Sequence, residues 1–153
     1  MAQRSLFSHV EELLPHREDM VLIHKVLAWE DDWLEASVDL SVPSLFTQPD
    51  GRVPAWVGIE YMAQTIGALV GIRALENGRP IRIGFLMGTR SYKSEVPYFS
   101  KNSVLTIRVD EVFSDNVSLA VFDCKILVDS VLAQATIKAV QPDDPVGSLS
   151  REL

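Results

Sequence analysis

The stretch "PAWVGIEYMAQTIGALVG", residues 54–71, is strongly apolar and carries one charged side chain, Glu60. Pro54 suits the first turn of a helix, and the pattern continues to Asn77-Gly78, a stop signal, which predicts a helix of about 22 residues. A membrane span is the alternative, but polar residues interrupt the stretch and a strand-rich sequence follows it. Because a helix that is apolar on most of its circumference must be covered on most sides, we expect it at the centre of the fold.

Strand patterns lie on both sides of this helix. Before it, residues 20–40 predict two strands, joined by an acidic turn into a hairpin. After it, residues 81–96 predict a strand in which Gly84 and Gly88 indicate a bulge or a close backbone approach. Residues 103–140 predict three strands joined by short turns, an antiparallel meander. Together these patterns predict an α+β fold in which one curved antiparallel sheet wraps around the helix.

Length, charge and cysteine content limit the class of protein. The 153 residues predict one domain over residues 1–140 and a loose tail over residues 141–153. A net charge of -7 repels phosphate backbones, which argues against nucleic acid as a partner. Cys124 is the only cysteine, and the first residues lack a basic segment followed by an apolar core. We therefore expect a cytoplasmic protein, with no disulfide within the chain and with Cys124 as a buried apolar residue.

Three segments, in this order, resemble the hotdog-fold superfamily and its 3-hydroxyacyl-acyl carrier protein dehydratase branch. They are "LLPHREDMVLIHKVLAWE" (13–30), "PAWVGIEYMAQTIGAL" (54–69) and "IGFLMGTRSYKSEVPYFSKNSVLTIRVDEV" (83–112). The second segment, and the absence of the His-Phe-Pro motif, resemble most closely the dehydratase-like proteins of aryl polyene pigment clusters. The resemblance implies a hotdog fold paired into a double-hotdog dimer, with an acyl tunnel between the two subunits.

The same resemblance implies a catalytic role for Glu60 and Gln64. Dehydration of a 3-hydroxyacyl thioester needs one proton removed beside the carbonyl and one added to the leaving hydroxyl. In the resembling family a carboxylate at the Glu60 position shares this work with a histidine of the other subunit. Counted back without gaps, that histidine falls on Phe46, and no histidine follows His24. The chain therefore resembles a dehydratase that lacks its usual base.

The remaining histidines, His9 and His16, precede His24 and offer no metal-ligand spacing, so we expect structural histidines, no metal and no cofactor. Glu60 and Gln64 share one helical stripe with Gly67 and Gly71, whose small size lets a backbone or an acyl chain come close. The predicted substrate-binding residues are Phe46, Trp56, Gly58, Gly67, Gly71, Phe85 and Gly88.

Two simpler alternatives stay open for these residues. Glu60 could tie the preceding loop to the helix by accepting hydrogen bonds from the backbone or from Arg52. Gly58 and Gly67 could serve packing alone.

Basic residues accumulate after the helix, in contrast to the acidic chain as a whole. Acyl carrier proteins are acidic, so a basic patch beside a tunnel mouth would attract one. The predicted docking residues are Arg79, Arg82, Arg90 and Lys93. A solvated face is the alternative.

Two functions follow from these observations. The first is a lyase that dehydrates 3-hydroxyacyl chains on an acyl carrier protein in fatty acid or polyene synthesis, with Gln64 orienting water or substrate for Glu60. The second is a catalytically incomplete subunit that binds acyl chains or stabilises a partner, or else an acyl thioesterase. The resemblance implies a homodimer, or a heterodimer in which a second hotdog subunit supplies the missing histidine.

Overall fold

The structure is a computed structural model that describes residues 20–78, 86–115 and 118–140. The strands are β1 (Lys25–Glu30), β2 (Trp33–Asp39), β3 (Val53–Pro54), β4 (Leu86–Ser94), β5 (Tyr98–Phe99), β6 (Val104–Ser114), β7 (Leu119–Leu127) and β8 (Val131–Val140). The helix α1 (Gly58–Glu76) follows a single 3-10 turn, Ala55–Val57. The predicted tail, residues 141–153, lies outside the described residues.

Six strands form one antiparallel sheet in the order β1-β2-β6-β7-β8-β4, and β3 pairs with β5 separately. The helix packs against β2, β6, β7, β8 and β4. Both predicted motifs, the hairpin before the helix and the meander after it, are confirmed as β1-β2 and β6-β7-β8. The predicted α+β architecture of a hotdog fold, one helix packed against a large antiparallel sheet, is confirmed.

Alternation of side chains along the strands builds the core. In β6, Leu105, Ile107 and Val109 are fully buried against the helix, while Arg108 and Asp110 project from the opposite face. The larger side chains of the helix are buried on nearly every side, and the apolar face of the sheet covers them. Each buried aliphatic or aromatic side chain contributes about 1.5–3 kcal/mol to the stability of the fold. These side chains are Tyr61, Met62, Ile66, Leu69 and Ile72.

Two features of the core bear on the sequence predictions. Residues 55–76 have the length and hydropathy of a membrane span, but 72% of that window is buried inside the protein, as expected of a core helix. Cys124 is buried, and burial raises the pKa of its thiol. The prediction that Cys124 is a buried apolar residue is confirmed.

The ends of the helix follow local chemistry. Pro54, predicted in the first helical turn, instead pairs with Tyr98 as the last residue of β3. At the other end the predicted stop is confirmed, because Gly78 adopts φ +67° and donates its N–H to the Leu75 carbonyl.

One predicted strand start differs from the structure, and the bulge predicted near Gly88 is confirmed. The first strand begins at Lys25 instead of residue 20, because the Leu22 N–H donates to the Gln64 side chain rather than to a neighbouring strand. In β4 the register shifts between Thr89 and Ser91, just after Gly88, and a Cβ on Gly88 would meet nothing within 4 Å. Gly88 is therefore not a point of close backbone approach, and Gly84 lies outside the described residues.

Candidate functional site

Glu60 lies in the first turn of α1 and is partly buried. The first N–H groups of a helix have no partner within the helix, and the helix dipole is positive at this end. Both features stabilise a carboxylate here. The helix start has no side-chain cap, and Glu60 is the only acidic residue in its first turn.

Gln64 lies one turn further along and is fully buried. Its Oε1 accepts the Leu22 N–H at 2.7 Å, and its Nε2 donates to the Met20 carbonyl at 2.7 Å and to Glu60 Oε1 at 3.4 Å. A primary amide offers two N–H donors and two lone pairs, so one lone pair of Oε1 is left for another donor. Gln64 thus fastens the segment before β1 to the helix and orients the Glu60 carboxylate. The predicted contact of Gln64 with water or substrate stays a prediction.

Phe46 and Trp56 form an aromatic pair at the start of the helix. Their ring centroids lie 5.4 Å apart at an angle of 80°, an edge-to-face contact. Trp56 is 60% exposed and Phe46 is half-buried. Hydrogen bonds hold the Phe46 loop, since Ser44 Oγ accepts the Phe46 N–H and Thr47 Oγ1 accepts the Ser44 N–H.

His24 is the only histidine within the described ranges, and it is not available as a base. Its Nδ1 accepts the Asp39 N–H at 2.8 Å, so the proton of the neutral ring is on Nε2. Burial lowers the pKa of His24 and so favours the neutral ring, and the Asp39 carboxylate opposes this shift in part. His9 and His16 lie outside the described residues. Residues 20–78, 86–115 and 118–140 therefore supply a carboxylate at the helix start and no histidine that can take a proton.

Arg52, one of the alternative partners for Glu60, is engaged elsewhere. Its Nε lies 2.7 Å from Asp50 Oδ2, and its guanidinium lies 4.0 Å from the centroid of the Tyr98 ring. The loop is closed by a turn at Pro49-Asp50-Gly51, in which Gly51 adopts φ +90°. The structure therefore does not support the alternative in which Glu60 accepts a hydrogen bond from Arg52.

Gly58 marks a close contact between helix and sheet. A Cβ there would overlap the Tyr92 hydroxyl and lie 2.7 Å from Ile126 Cδ1. The same hydroxyl donates to the Ala55 carbonyl, and burial raises the pKa of Tyr92 to about 12, so it stays protonated. Packing is sufficient to explain Gly58, and its predicted contact with substrate stays a prediction.

The other predicted residues have scattered positions. Gly67 and Gly71 are buried on α1, whereas Gly88 is exposed on β4. Lys93 is exposed on the outer face of the sheet, directed away from the helix, because the neighbouring Tyr92 points inward. Phe85, Arg79, Arg82 and the side chain of Arg90 lie outside the described residues.

An apolar stripe beside Glu60 was missed at the sequence level. Apart from Leu75 near the end of the helix, three apolar residues on α1 remain partly exposed: Ile59, Ala63 and Val70. Their helical spacing places them on one side, next to Glu60. The spacing was readable from the sequence, but which side of an all-apolar helix stays uncovered depends on the sheet. Glu60 is thus the charge beside the first turns of this apolar stripe, which also includes exposed Trp56, whereas Arg73 lies at its other end.

Comparison with known proteins places this site in context. The family model ApeP-like, described as ApeP dehydratase, matches residues 8–150. A chain of the dehydratase heterocomplex ApeI:P from Xenorhabdus doucetiae is 29% identical, with 92% of this chain and 95% of that chain covered and a TM-score of 0.83. No curated protein sequence matches this chain.

More distant solved structures share the fold alone. Cj0977, a sigma28-regulated virulence protein from Campylobacter jejuni, is 12% identical over 90% of each chain, with a TM-score of 0.58. A hypothetical thioesterase with coenzyme A from Streptococcus pneumoniae TIGR4 is 16% identical over 76% of this chain and 83% of that chain, with a TM-score of 0.53.

Proposed function

This chain belongs to the ApeP-like dehydratase family, and from that premise we propose that it dehydrates 3-hydroxyacyl chains carried by an acyl carrier protein, as one subunit of a two-subunit hotdog enzyme. The observation that carries the proposal is the incomplete site. Glu60 is held by Gln64 at the start of the central helix, and Phe46 stands where the resemblance, counted back without gaps, puts the family's histidine.

The reaction needs two proton movements at different atoms. A base removes the proton from the carbon beside the thioester carbonyl, and an acid protonates the hydroxyl that leaves as water, giving an enoyl thioester. Glu60 supplies one of these transfers, at the leaving hydroxyl, and a histidine of the second subunit supplies the other. Because one positioned acid or base is commonly worth about 10²- to 10⁴-fold in rate, a subunit with the carboxylate alone is a poor catalyst.

The surface around Glu60 suits an acyl chain. The stripe of Ile59, Ala63 and Val70 is apolar and only partly covered, and Trp56 adds an exposed aromatic face at one end. Burial of such apolar surface contributes about 25 cal/mol per Å² to the free energy of binding. The stripe therefore favours contact with an alkyl or alkenyl chain, or with the apolar face of a second subunit. An acyl chain lying along this stripe would bring its thioester end to Glu60.

A second subunit has a place to attach. Strand β4 is at the edge of the main sheet, so one side of it is not paired with a described strand. We propose that another hotdog subunit continues the sheet at this edge. The heterocomplex described for the similar Xenorhabdus doucetiae structure supports a partner of different sequence.

Phe46 also favours a second candidate, in which the chain binds acyl groups or stabilises an active partner without doing chemistry itself. In that case Glu60 would be dispensable for turnover by the complex. The two candidates make opposite predictions for a change at Glu60.

The test uses a carrier-bound 3-hydroxyacyl substrate with the purified protein, alone and together with a hotdog partner that carries the His-Phe-Pro motif. The variant is Glu60→Gln, which keeps the shape and removes the acid, and the matched control is Glu95→Gln at an exposed position. We expect turnover by the complex to fall at least 100-fold in Glu60→Gln and to be unchanged in Glu95→Gln. Full turnover by the Glu60→Gln complex would establish the non-catalytic candidate instead.

A further inference from the structure

The outer face of the sheet carries a polar groove on the side away from the helix. It has a volume of about 260 Å³ and lies over β4, β8 and β7. Its polar lining residues are Ser91, Lys93, Asp123, Lys125, Gln134 and Thr136.

Strand register arranges these side chains in two rows. Lys93, Gln134 and Lys125 are cross-strand neighbours in one row. Two residues further along, Ser91, Thr136 and Asp123 form the second row. Since adjacent strands lie about 4.8 Å apart, the backbones of the two lysines are separated by about 10 Å. The Gln134 amide lies between them, and the hydroxyls of Ser91 and Thr136 lie in the neighbouring row.

The groove carries more positive than negative charge, with two lysines and one acid among its lining residues. Lys93 and Lys125 are exposed, and neither forms an ion pair with a residue in the part of the chain that the structure describes. On the same face, Lys138 on β8 is a third lysine, half-buried and likewise without an ion pair among the described residues. Asp123 is the one acid in the groove, and it accepts a hydrogen bond from Thr136 at 3.3 Å.

The next strand shows the opposite pattern. Arg108 on β6 is paired with both Glu35, at 3.2 Å, and Asp110, at 2.9 Å, and stacks over the Trp33 ring. Positive charge is thus cancelled on one half of the outer face and left available on the other. In a chain of net charge -7 such a surface is a local exception that attracts an acidic partner.

We propose that the groove between Lys93 and Lys125 is the docking surface for the acidic carrier protein that delivers the acyl thioester. The inference rests on the function proposed above and names where the carrier binds. The ammonium groups pair with acidic side chains of the carrier, while Gln134, Ser91 and Thr136 accept and donate hydrogen bonds at the contact.

The position of the groove is compatible with delivery to Glu60. Tyr92, beside Lys93 in β4, points to the other side of the sheet and donates to the Ala55 carbonyl at the helix start. Lys93 lies one residue before the end of β4, and the segment after this strand contacts the helix start, because the Ala55 N–H donates to the Pro97 carbonyl at 3.0 Å. The flexible arm of the carrier passes around this strand end, and not across the β4 edge where the second subunit attaches, to reach the first turn of α1.

The test is charge reversal in the two-subunit complex. The variant is Lys93→Glu with Lys125→Glu, and the control is Lys25→Glu with Lys101→Glu, which changes net charge equally at exposed positions outside the groove. The probe is an acidic acyl carrier protein that bears a 3-hydroxyacyl chain through a non-hydrolysable amide. Affinity is measured by titration at low and high salt, and turnover is measured with the carrier-bound substrate and with the free acyl pantetheine.

We expect the groove variant to bind the carrier at least tenfold more weakly at low salt, with a smaller difference at high salt. Turnover of the free acyl pantetheine should be unchanged, since Glu60 is untouched. Equal carrier affinity in the groove variant and the control would overturn the docking surface while leaving the proposed function standing. A wild-type complex that neither binds nor turns over the carrier-bound substrate would overturn both.

Discussion

The Gln64→Leu variant tests whether the site depends on a buried amide. The substitution keeps side-chain length and removes all three hydrogen bonds of Gln64. The Leu22 N–H is buried and loses its acceptor, which costs about 1–3 kcal/mol. The Met20 carbonyl is partly exposed and can turn to water, so it adds no more than about 1 kcal/mol. We expect a total loss of about 2–3 kcal/mol in the free energy of unfolding.

That loss is measurable in several ways. For a domain of this length it lowers Tm by about 4–12 °C. Urea unfolding should show a lower midpoint with an unchanged slope, because the surface exposed on unfolding is the same. Amide exchange should accelerate first at Leu22, whose N–H has lost its partner.

The control is Gln48→Leu, a partly exposed glutamine whose side chain forms no hydrogen bond with residues 20–78, 86–115 or 118–140. Its stability should change by less than about 0.5 kcal/mol. If Gln64→Leu is as stable as this control and protects Leu22 equally well, the amide does not hold the segment before β1, and its role as a positioning group for Glu60 fails with it.

Further variants probe packing, protonation and the missing base. Gly58→Ala should lower stability by about 1–3 kcal/mol in thermal unfolding, because its Cβ would collide with Tyr92, whereas Gly88→Ala in open space should cost nothing. Because the pKa of His24 is depressed in the folded protein, the unfolded state binds more protons, so stability should fall as pH drops below about 6.5. In His24→Asn, which retains an acceptor, unfolding curves from pH 7.5 to 5.5 should show a shallower loss, and equal slopes would contradict this reasoning. In a dimer of two copies of this chain, Phe46→His should give each Glu60 a histidine of the other copy and raise dehydration at least tenfold in a single-turnover assay, and a dimer of the variant with no gain would mean that this position does not face a carboxylate.

The helix and the meander were predictable because each is specified by the pattern of residues within one short segment of the chain. Apolar residues around a full helical circumference require a surrounding wall, and strict alternation in β6 shows which side of the strand faces it. The stop at Gly78 is equally local, since only glycine adopts its left-handed backbone without cost. The 3-10 turn before α1 was not predicted, because Pro54 suits several positions at a helix start and pairing with β5 selects one of them.

The sequence by itself determined that a lone carboxylate lies on a buried central helix and that no histidine follows it in the chain. Only the tertiary structure decided what surrounds that carboxylate. The side-chain amide of Gln64 accepts a hydrogen bond from the N–H of Leu22, 42 residues away. Lys93 and Lys125 lie in one cross-strand row, on the two strands that flank β8. Such contacts join segments that are distant in sequence, and they depend on strand order and register, which no local pattern of residues contains.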